Sequence, residues 1–264
     1  MDIDYKKINK ESWNERTKIH WKSDFYDNKS FLAGKTSLKE IELPLLGDLT
    51  GQSALHLQCH FGQDTISLSR LGATTAIGVD LSDEAISRAR ELAQMAESTA
   101  SFICCDLYDL PNHLDQQFDL VFATYGTIGW LPDIDKWARL VGKYLKSGGR
   151  LVFAEFHPVI WMYDNDFKAI TYDYFNGDPI IENEGTYTDG DEGFESSNIS
   201  WNHGLADVIS SLLKVGIQLE HLQEHDYSPY NCLSNMKEVS PGRFKLASVG
   251  PRIPMVYSLV GRKV

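Results

Sequence analysis

Cysteine is scarce in this sequence, and the few cysteines present form no framework. The 264 residues include four of them, Cys59, Cys104, Cys105 and Cys232. No Cys-x-x-Cys pair occurs and two of the four are adjacent, which argues against both a zinc site and a disulfide scaffold. We therefore predict reduced, structural cysteines, no metal site and a cytoplasmic location.

The sequence also lacks a long apolar run. Stretches such as "LVFAEF" are as long as a strand, whereas a membrane helix needs about 20 apolar residues. The first ten residues, "MDIDYKKINK", are charged and have no apolar centre, so we expect no signal peptide. Neither a membrane partner nor secretion is predicted.

Positive charge is in deficit. Lys and Arg number 25 against 37 Asp and Glu, for a formal net charge of −12. Because phosphate binding depends on Lys and Arg, this balance argues against a nucleic-acid partner. Hydrophobic residues make up 42%, which is typical of a globular protein with a packed core. We predict a single domain over residues 1–264.

From residue 52 onward, short apolar segments alternate with segments of helical spacing. This alternation predicts parallel βαβ units with helices on both faces of the sheet. The predicted strands are "SALHLQC", "TTAIGVD", "ASFICCD", "FDLVFATYG" and "RLVFAEFHP", and then "QLEHLQEHDY" and "IPMVYSLVGRKV" near the end. The last two are expected to pair antiparallel at the sheet edge. The predicted fold class is α/β, with a Rossmann-like, seven-stranded, mostly parallel sheet whose last strand is antiparallel.

Helix ends are predicted from capping residues and from proline or glycine. The helix in "SLKEIELPLLG" is expected to end at Pro44 and Gly47, and that in "DIDKWARLVGKYLKSGG" at Gly148–Gly149. Ser82 is the expected N-cap of "SDEAISRARELAQMAE". A last helix, "NHGLADVISSLLKVGI", is predicted to place an apolar face inward, formed by Leu205, Val208, Ile209, Leu212 and Leu213.

Two segments do not follow this alternation of strands and helices. Residues 1–50 are rich in aromatic residues and are predicted to form a helical cap. Residues 159–200 contain ten acids, one base and eight aromatic residues. This segment is too long for a simple connection and too aromatic for a disordered linker, so we interpret it as a folded insertion. It can cover a small substrate as an apolar lid, or its aromatic side chains can form only its own small core.

Ligands of an open parallel sheet bind beyond the carboxyl ends of its strands. The first turn, "CHFG", contains Gly62, which allows the backbone to turn tightly beside a ligand. Asp80 ends the second strand and can accept both hydroxyl groups of a ribose. Asp106 ends the third strand and can accept from the amino group of an adenine. "ATYGTIG" ends the fourth strand and should lie beside the reacting group.

This ordered set resembles the class I S-adenosylmethionine-dependent methyltransferases over roughly residues 50–158. In that family the first strand usually ends with an acid and a Gly-x-Gly-x-Gly-like turn. Here "HLQCHFG" has His56 at the acid position, Gln58 and His60 at two glycine positions, and Gly62 at the last. The wording "LHLQCHFGQDT" is similar to that of an uncharacterised bacterial subgroup with this variant turn.

The resemblance implies S-adenosyl-L-methionine as the cofactor. Asp80 would then bind the ribose, Asp106 and Leu107 the adenine, and the 59–62 turn the methionine part. The full set of predicted cofactor-binding residues is Gln58, Cys59, His60, Gly62, Asp64, Asp80, Leu81, Asp106, Leu107 and Thr124. Whether Gln58 and His60 face the ligand or the core is left open by the sequence.

Methyl transfer from a sulfonium to a hydroxyl or a protonated amine benefits from a general base. Tyr125, His157 and His225 follow predicted strands and are the candidate catalytic residues. Each residue can instead have a purely structural role, because a histidine at a strand end is often structural and Tyr125 can simply line the pocket.

We therefore predict methyl transfer to a small-molecule acceptor. One alternative is a module that binds the cofactor without turnover. A less favoured alternative is a nicotinamide-dependent oxidoreductase, which Asp80 would suit equally. The first turn lacks the Gly-x-Gly-x-x-Gly spacing that such enzymes normally have.

Overall fold

A computed structural model describes residues 4–190, 193–249 and 252–264. Seven α-helices occur among them: α1 Tyr5–His20, α2 Asn28–Leu32, α3 Leu43–Leu46, α4 Gln63–Arg70, α5 Asp83–Met95, α6 Ile134–Tyr144 and α7 Leu205–Lys214. The strands are β1 Ser53–Leu57, β2 Thr75–Asp80, β3 Ser101–Cys104, β4 Phe118–Thr124, β5 Leu145–Phe156, β6 Ile180–Glu184, β7 Ser196–Ser200, β8 Ile217–His225, β9 Met236–Ser240, β10 Arg243–Leu246 and β11 Val256–Lys263.

A seven-stranded sheet in the order β3-β2-β1-β4-β5-β11-β8 forms the centre of the fold. The pairs among β1 to β5 are parallel, whereas β11 runs antiparallel to both β5 and β8. All five residues of β1 are buried, as expected for a strand covered on both faces. The predicted fold class is confirmed.

The strand order reverses between β1 and β4, which are neighbours in the sheet although β2 and β3 separate them in sequence. Such a switch point opens a crevice at the carboxyl ends of the strands. Helices α4 and α5 follow β1 and β2 directly, so the amino ends of both helices lie at this crevice. The Ser82 side chain accepts from the Ala85 amide, which confirms the predicted N-cap of α5.

Three predicted helix features are wrong. Pro44 lies in the first turn of α3 and helps to begin that helix, since its missing N–H has no partner to lose there. Helix α6 ends at Tyr144 rather than at Gly148–Gly149, because Leu145 already pairs with Phe118 as the first residue of β5.

The third correction concerns the apolar face of α7. Val208 and Leu212 are buried as expected, but Leu213 is 53% exposed. Ser211 takes a buried position instead and donates to Asp135 on α6. The α6–α7 contact is therefore partly polar, which hydrophobic periodicity does not reveal.

Helix α1 and the β6–β7 hairpin form one continuous cover, here called the cap. Asn9 exchanges two hydrogen bonds of 2.8 Å with the backbone of Ile199 on β7. Arg16 forms an ion pair of 3.2 Å with Glu184 on β6. The predicted N-terminal helices and the predicted insertion thus pack on each other. No helix in the described part of the chain is long and apolar enough to cross a membrane.

Candidate functional site

A cavity of about 680 Å³ lies beyond the carboxyl ends of β1, β2, β3 and β4. This volume is within the usual range for small-molecule and cofactor sites. Its floor is formed by the strand ends, and its roof by α1 and by the segment around β6 and β7. All ten predicted cofactor-binding residues and Tyr125 lie in its lining.

The turn after β1 has an unusual backbone. Gln58, His60 and Gly62 have φ values of 54°, 50° and 83°, so every second residue is in the left-handed region. Such a conformation is unfavourable for residues other than glycine and tends to persist at functional sites. Gln58 and His60 therefore adopt the backbone that glycine usually provides at these positions.

The structure answers which way these two side chains point. Gln58 lines the cavity, where its Nε2 donates to the Thr127 carbonyl at 2.8 Å. His60 also lines the cavity, with its ring stacked on Tyr26 at 5.4 Å and Nε2 3.1 Å from His20 Nδ1. Within the described chain, Gln58 Oε1 and His60 Nδ1 are buried without a hydrogen-bond partner. Buried polar atoms are normally paired, so both are available to a ligand.

His56 does not supply the acid that this position usually carries. Its Nδ1 lies 2.9 Å from Thr65 Oγ1, and its ring packs on Phe122. Burial lowers the pKa of His56 to about 4, so the imidazole is neutral near pH 7. Its role is to join β1 to α4.

Asp80 holds the turn after β1 from the end of β2. Its carboxylate accepts from the backbone amides of His60 at 2.8 Å and Ser82 at 2.9 Å. Burial raises the pKa of Asp80, against the lowering effect of those amides. The Leu81 amide also hydrogen-bonds to this carboxylate. A carboxylate has about four acceptor positions, so about one remains for a ribose hydroxyl.

Asp106 is held by both the sheet and the cap. Its Oδ1 accepts from the Tyr108 amide at 3.0 Å and from Lys6 Nζ on α1 at 2.8 Å. Oδ2 can accept from an amino group in the cavity. Leu81 and Leu107 line the same region and offer apolar surface on which a flat ring can pack.

A further carboxylate, Asp64, lies in the first turn of α4. Thr124 Oγ1, at the end of β4, donates to its Oδ2 at 3.2 Å. Its negative charge raises the pKa values of Tyr26, Tyr125 and Tyr230, although burial is the larger cause for each. Asp64 thus places a negative charge in an aromatic part of the cavity, where it can bind an ammonium group.

Tyr125 begins the loop after β4 with a left-handed backbone at φ 39°. Its hydroxyl donates to Glu42 Oε2 at 2.6 Å. Glu42 is fully buried behind it, and burial raises the pKa of this carboxyl to about 7. Sequence reasoning missed Glu42, because nothing in "SLKEIELPLLG" indicates which of its acids meets the site.

Glu155 is a second residue that sequence reasoning missed. This β5 residue is 2% exposed, and its carboxylate accepts from the backbone amides of Gly126, Thr127, Ile128 and Phe156. It fixes the loop that carries Tyr125 against the cavity. A charged residue within the otherwise apolar strand "LVFAEF" was the signal for it.

The histidines predicted as catalytic lie elsewhere. The described lining of the cavity contains neither His157 nor His225. His157 Nε2 lies 2.9 Å from Glu224 Oε1, and its backbone amide donates to Met255. His225 Nε2 lies 3.0 Å from Ser258 Oγ. Both join β5, β8 and β11, since the antiparallel pairing continues to the ends of these strands.

No cluster of three or more metal-ligating side chains occurs in residues 4–190, 193–249 and 252–264. The four cysteines are free thiols, and that of Cys59 is buried beside the turn. The site therefore consists of carboxylates, aromatic rings and backbone amides. Such a set can orient a nucleoside-containing cofactor and an acceptor.

Replacing Gly62 with alanine should lower the free energy of unfolding by about 2–4 kcal/mol. Its φ is +83°, and an added Cβ would lie 2.5 Å from Phe102 Cε1 and 3.0 Å from Ala89 Cβ. Gly51→Ala is the matched control, because Gly51 has φ +79° and nothing within 4 Å. Urea unfolding compares the two. Equal losses of unfolding free energy for the two variants would show that Phe102 and Ala89 pack loosely against Gly62.

Comparisons with known proteins agree with this geometry. A family model described as a methyltransferase domain matches residues 54–149. A ribosomal protein L11 methyltransferase of Neisseria gonorrhoeae is 30% identical over 140 residues, which are 51% of this chain and 42% of that protein. A demethylmenaquinone methyltransferase of Lactococcus lactis is 32% identical over 127 residues, which are 47% of this chain and 50% of that protein. The aligned region thus spans at most half the length of these relatives.

Solved structures extend the similarity to the whole fold. Geranyl diphosphate C-methyltransferase from Streptomyces coelicolor superposes with a TM-score of 0.62, covering 100% of both chains at 13% identity. This level of identity supports the fold and nothing finer. Residues 54–149 thus match a methyltransferase domain, and the chain has the fold of S-adenosylmethionine-dependent methyltransferases, as the resemblance implied.

Proposed function

We propose that the chain transfers a methyl group from S-adenosylmethionine to a small-molecule acceptor held under the cap. The observation that carries this proposal is the cavity of about 680 Å³, which joins the cofactor strand ends to an aromatic region roofed by α1 and β6–β7. The bound cofactor would supply the activated methyl group. The protein would bind, orient and exclude water, as is usual in cofactor enzymes.

The cofactor's polar groups find acceptors along the strand ends. Asp80 has an acceptor position left for a ribose hydroxyl, and Asp106 Oδ2 can accept from the adenine amino group. Asp64 and the unpartnered Gln58 Oε1 are the acceptors for the ammonium of the methionine part. Asp64 would thereby take the role that His56, neutral and hydrogen-bonded to Thr65, does not fill.

The size and cover of the cavity favour a small acceptor over a protein. Hydrogen bonds between Asn9 and Ile199 and between Ser12 and Ser196, together with the Arg16–Glu184 ion pair, hold the roof of the cavity in place. A folded protein substrate would need this roof to open, whereas a small molecule fits beneath it. One relative is named for ribosomal protein L11 and another for demethylmenaquinone, so the relatives themselves favour neither class. The free cysteines suit the cytoplasm as the proposed location.

Asp80→Ala should weaken S-adenosylmethionine binding by about 1–2 kcal/mol, or roughly 5- to 30-fold, through the lost hydrogen bonds. Isothermal titration calorimetry measures this directly. Asp48→Ala is a suitable control, because Asp48 is exposed and caps only the Thr50 turn. An unchanged affinity for Asp80→Ala would remove this residue from the cofactor site.

If the wild-type protein binds neither S-adenosylmethionine nor S-adenosylhomocysteine, the proposed function is wrong. Binding without transfer to any acceptor would instead favour a non-catalytic module.

A further inference from the structure

The Tyr125–Glu42 pair stands apart from the groups assigned to the cofactor. Tyr125 lines the cavity, and its hydroxyl proton points to Glu42 at 2.6 Å. Since that proton is directed away from the cavity, the oxygen lone pairs of Tyr125 can accept a hydrogen bond from a ligand. Its left-handed φ of 39° is a strained backbone of the kind that persists at functional sites.

The surroundings of the pair indicate the kind of group that it meets. Tyr230 packs edge-on against Tyr125 at 5.2 Å, and Phe156 lies 5.8 Å from it on another side. Lys39 Nζ lies 4.8 Å above the Tyr230 ring. Lys39 forms no ion pair within 4.0 Å among the described residues. A flat ring in the cavity can pack on the surface that these aromatic side chains present there, and Lys39 can stabilise negative charge on its oxygen.

We propose that Tyr125 and Glu42 form a proton relay for an acceptor of the phenol class, with Tyr125 as the catalytic residue and Glu42 as the group that takes the proton. This inference rests on the proposed function and names the class of its acceptor. Methylation would occur on the phenolic oxygen.

The atoms and charges of this step balance. The acceptor's O–H bond breaks and its proton passes to the Tyr125 oxygen, while the Tyr125 proton passes to the Glu42 carboxylate. The freed electron pair forms the new bond from oxygen to the methyl carbon. The bond from that carbon to sulfur breaks, and its electron pair stays on sulfur as a neutral thioether. The products are an aryl methyl ether, the demethylated cofactor and a protonated Glu42.

The charged neighbours of Glu42 are consistent with this role. Tyr125 faces it from the β4 loop, Asp64 from α4, and Lys39 from its own segment. Burial is the largest influence on Glu42 and raises its pKa to about 7. The carboxylate form, which accepts the proton, therefore becomes dominant as the pH rises above this value, and transfer should increase with pH through the same region.

Two variants separate the parts of the relay. Glu42→Gln keeps an acceptor for the Tyr125 hydroxyl but takes no proton, whereas Tyr125→Phe removes the link itself. A matched pair lies outside the cavity, where Tyr227 donates to Glu40. Tyr227→Phe and Glu40→Gln therefore serve as controls for each substitution.

The first readout is transfer of label from methyl-labelled S-adenosylmethionine to a panel of phenols. We expect an aryl methyl ether from the wild type, about 100-fold less from Glu42→Gln and Tyr125→Phe, and unchanged yields from the two controls. The rise in rate near pH 7 should disappear in Glu42→Gln. The idea fails if no phenol is labelled while another acceptor is, or if Glu42→Gln keeps both its rate and its pH profile.

The second readout needs no turnover. Calorimetry compares phenol with anisole, its methyl ether, on the protein loaded with S-adenosylhomocysteine. The wild type should bind the phenol about 5- to 10-fold more tightly, because Tyr125 accepts its hydroxyl proton. This preference should persist in Glu42→Gln and vanish in Tyr125→Phe. Equal preference in all three proteins would overturn the assignment. Loss of S-adenosylhomocysteine binding itself would instead contradict the proposed function.

Discussion

Glu155→Ala should lower the free energy of unfolding by about 3–5 kcal/mol, a large fraction of the stability of a typical domain. The Glu155 carboxylate accepts from the amides of Gly126, Thr127, Ile128 and Phe156 inside the fold. Alanine would leave these buried donors without a partner, and each unmade hydrogen bond carries a desolvation cost.

Urea unfolding followed by circular dichroism measures this effect. Glu220→Ala is the control, because Glu220 forms only an exposed ion pair with Arg262 and should contribute at most about 1 kcal/mol. The loss of unfolding free energy for Glu155→Gln should lie between the losses for Glu155→Ala and Glu220→Ala, since the amide retains one acceptor oxygen. A loss for Glu155→Ala no larger than that for Glu220→Ala would mean that the β4 loop is ordered by other contacts.

Mild acid should destabilise the protein through its buried neutral histidines, among them His20 and His60. Burial lowers the pKa of His20 to about 2 and that of His60 to about 3, from an ordinary value of 6.5. The unfolded chain therefore takes up these protons first as the pH falls. The stability that the neutral rings contribute is complete above pH 6.5 and declines below it. By pH 5 each ring should have lost about 2 kcal/mol of this contribution.

Thermal unfolding between pH 7.5 and 5 tests this expectation. His20→Gln should remove about 2 kcal/mol of the stability lost between pH 7.5 and 5, and His113→Gln, at an exposed position, should leave the pH dependence unchanged. Glu42 acts in the opposite direction, because its pKa of about 7 means that the folded state holds its proton between pH 4.5 and 7. If His20→Gln and the wild type show the same pH dependence, the buried pair does not control acid stability.

The layout of the sheet was predictable because each strand and helix shows its own periodicity. The antiparallel pairing of β8 and β11 followed from their position at the end of a βαβ series. Helix ends were less predictable. Pro44 can begin a helix as well as end one, and Gly148–Gly149 can lie within a strand as well as after a helix. The contact between α1 and β7 joins residues about 190 positions apart, and no local pattern encodes such a contact.

The grouping of the carboxylates proposed to bind the cofactor was predictable for a similar reason. Asp80 and Asp106 end consecutive parallel strands, so topology alone brings them to one edge. The left-handed backbone at Gln58 and His60 was not predictable from residue type, because side chains rarely adopt it. Glu42 reaches Tyr125 from a segment 83 residues earlier in the chain. The positions of His157 and His225 depended on how far β5 and β8 continue before their strands end.

Methyl transfer to a small molecule under the cap can be measured directly. The most direct measurement incubates the protein with methyl-labelled S-adenosylmethionine and a metabolite extract, with ribosomal proteins present in a parallel sample. Mass spectrometry then locates the label. We expect it in a compound small enough for a cavity of about 680 Å³, and not in the protein fraction. Label found only in ribosomal protein, or in no acceptor at all, would contradict this account.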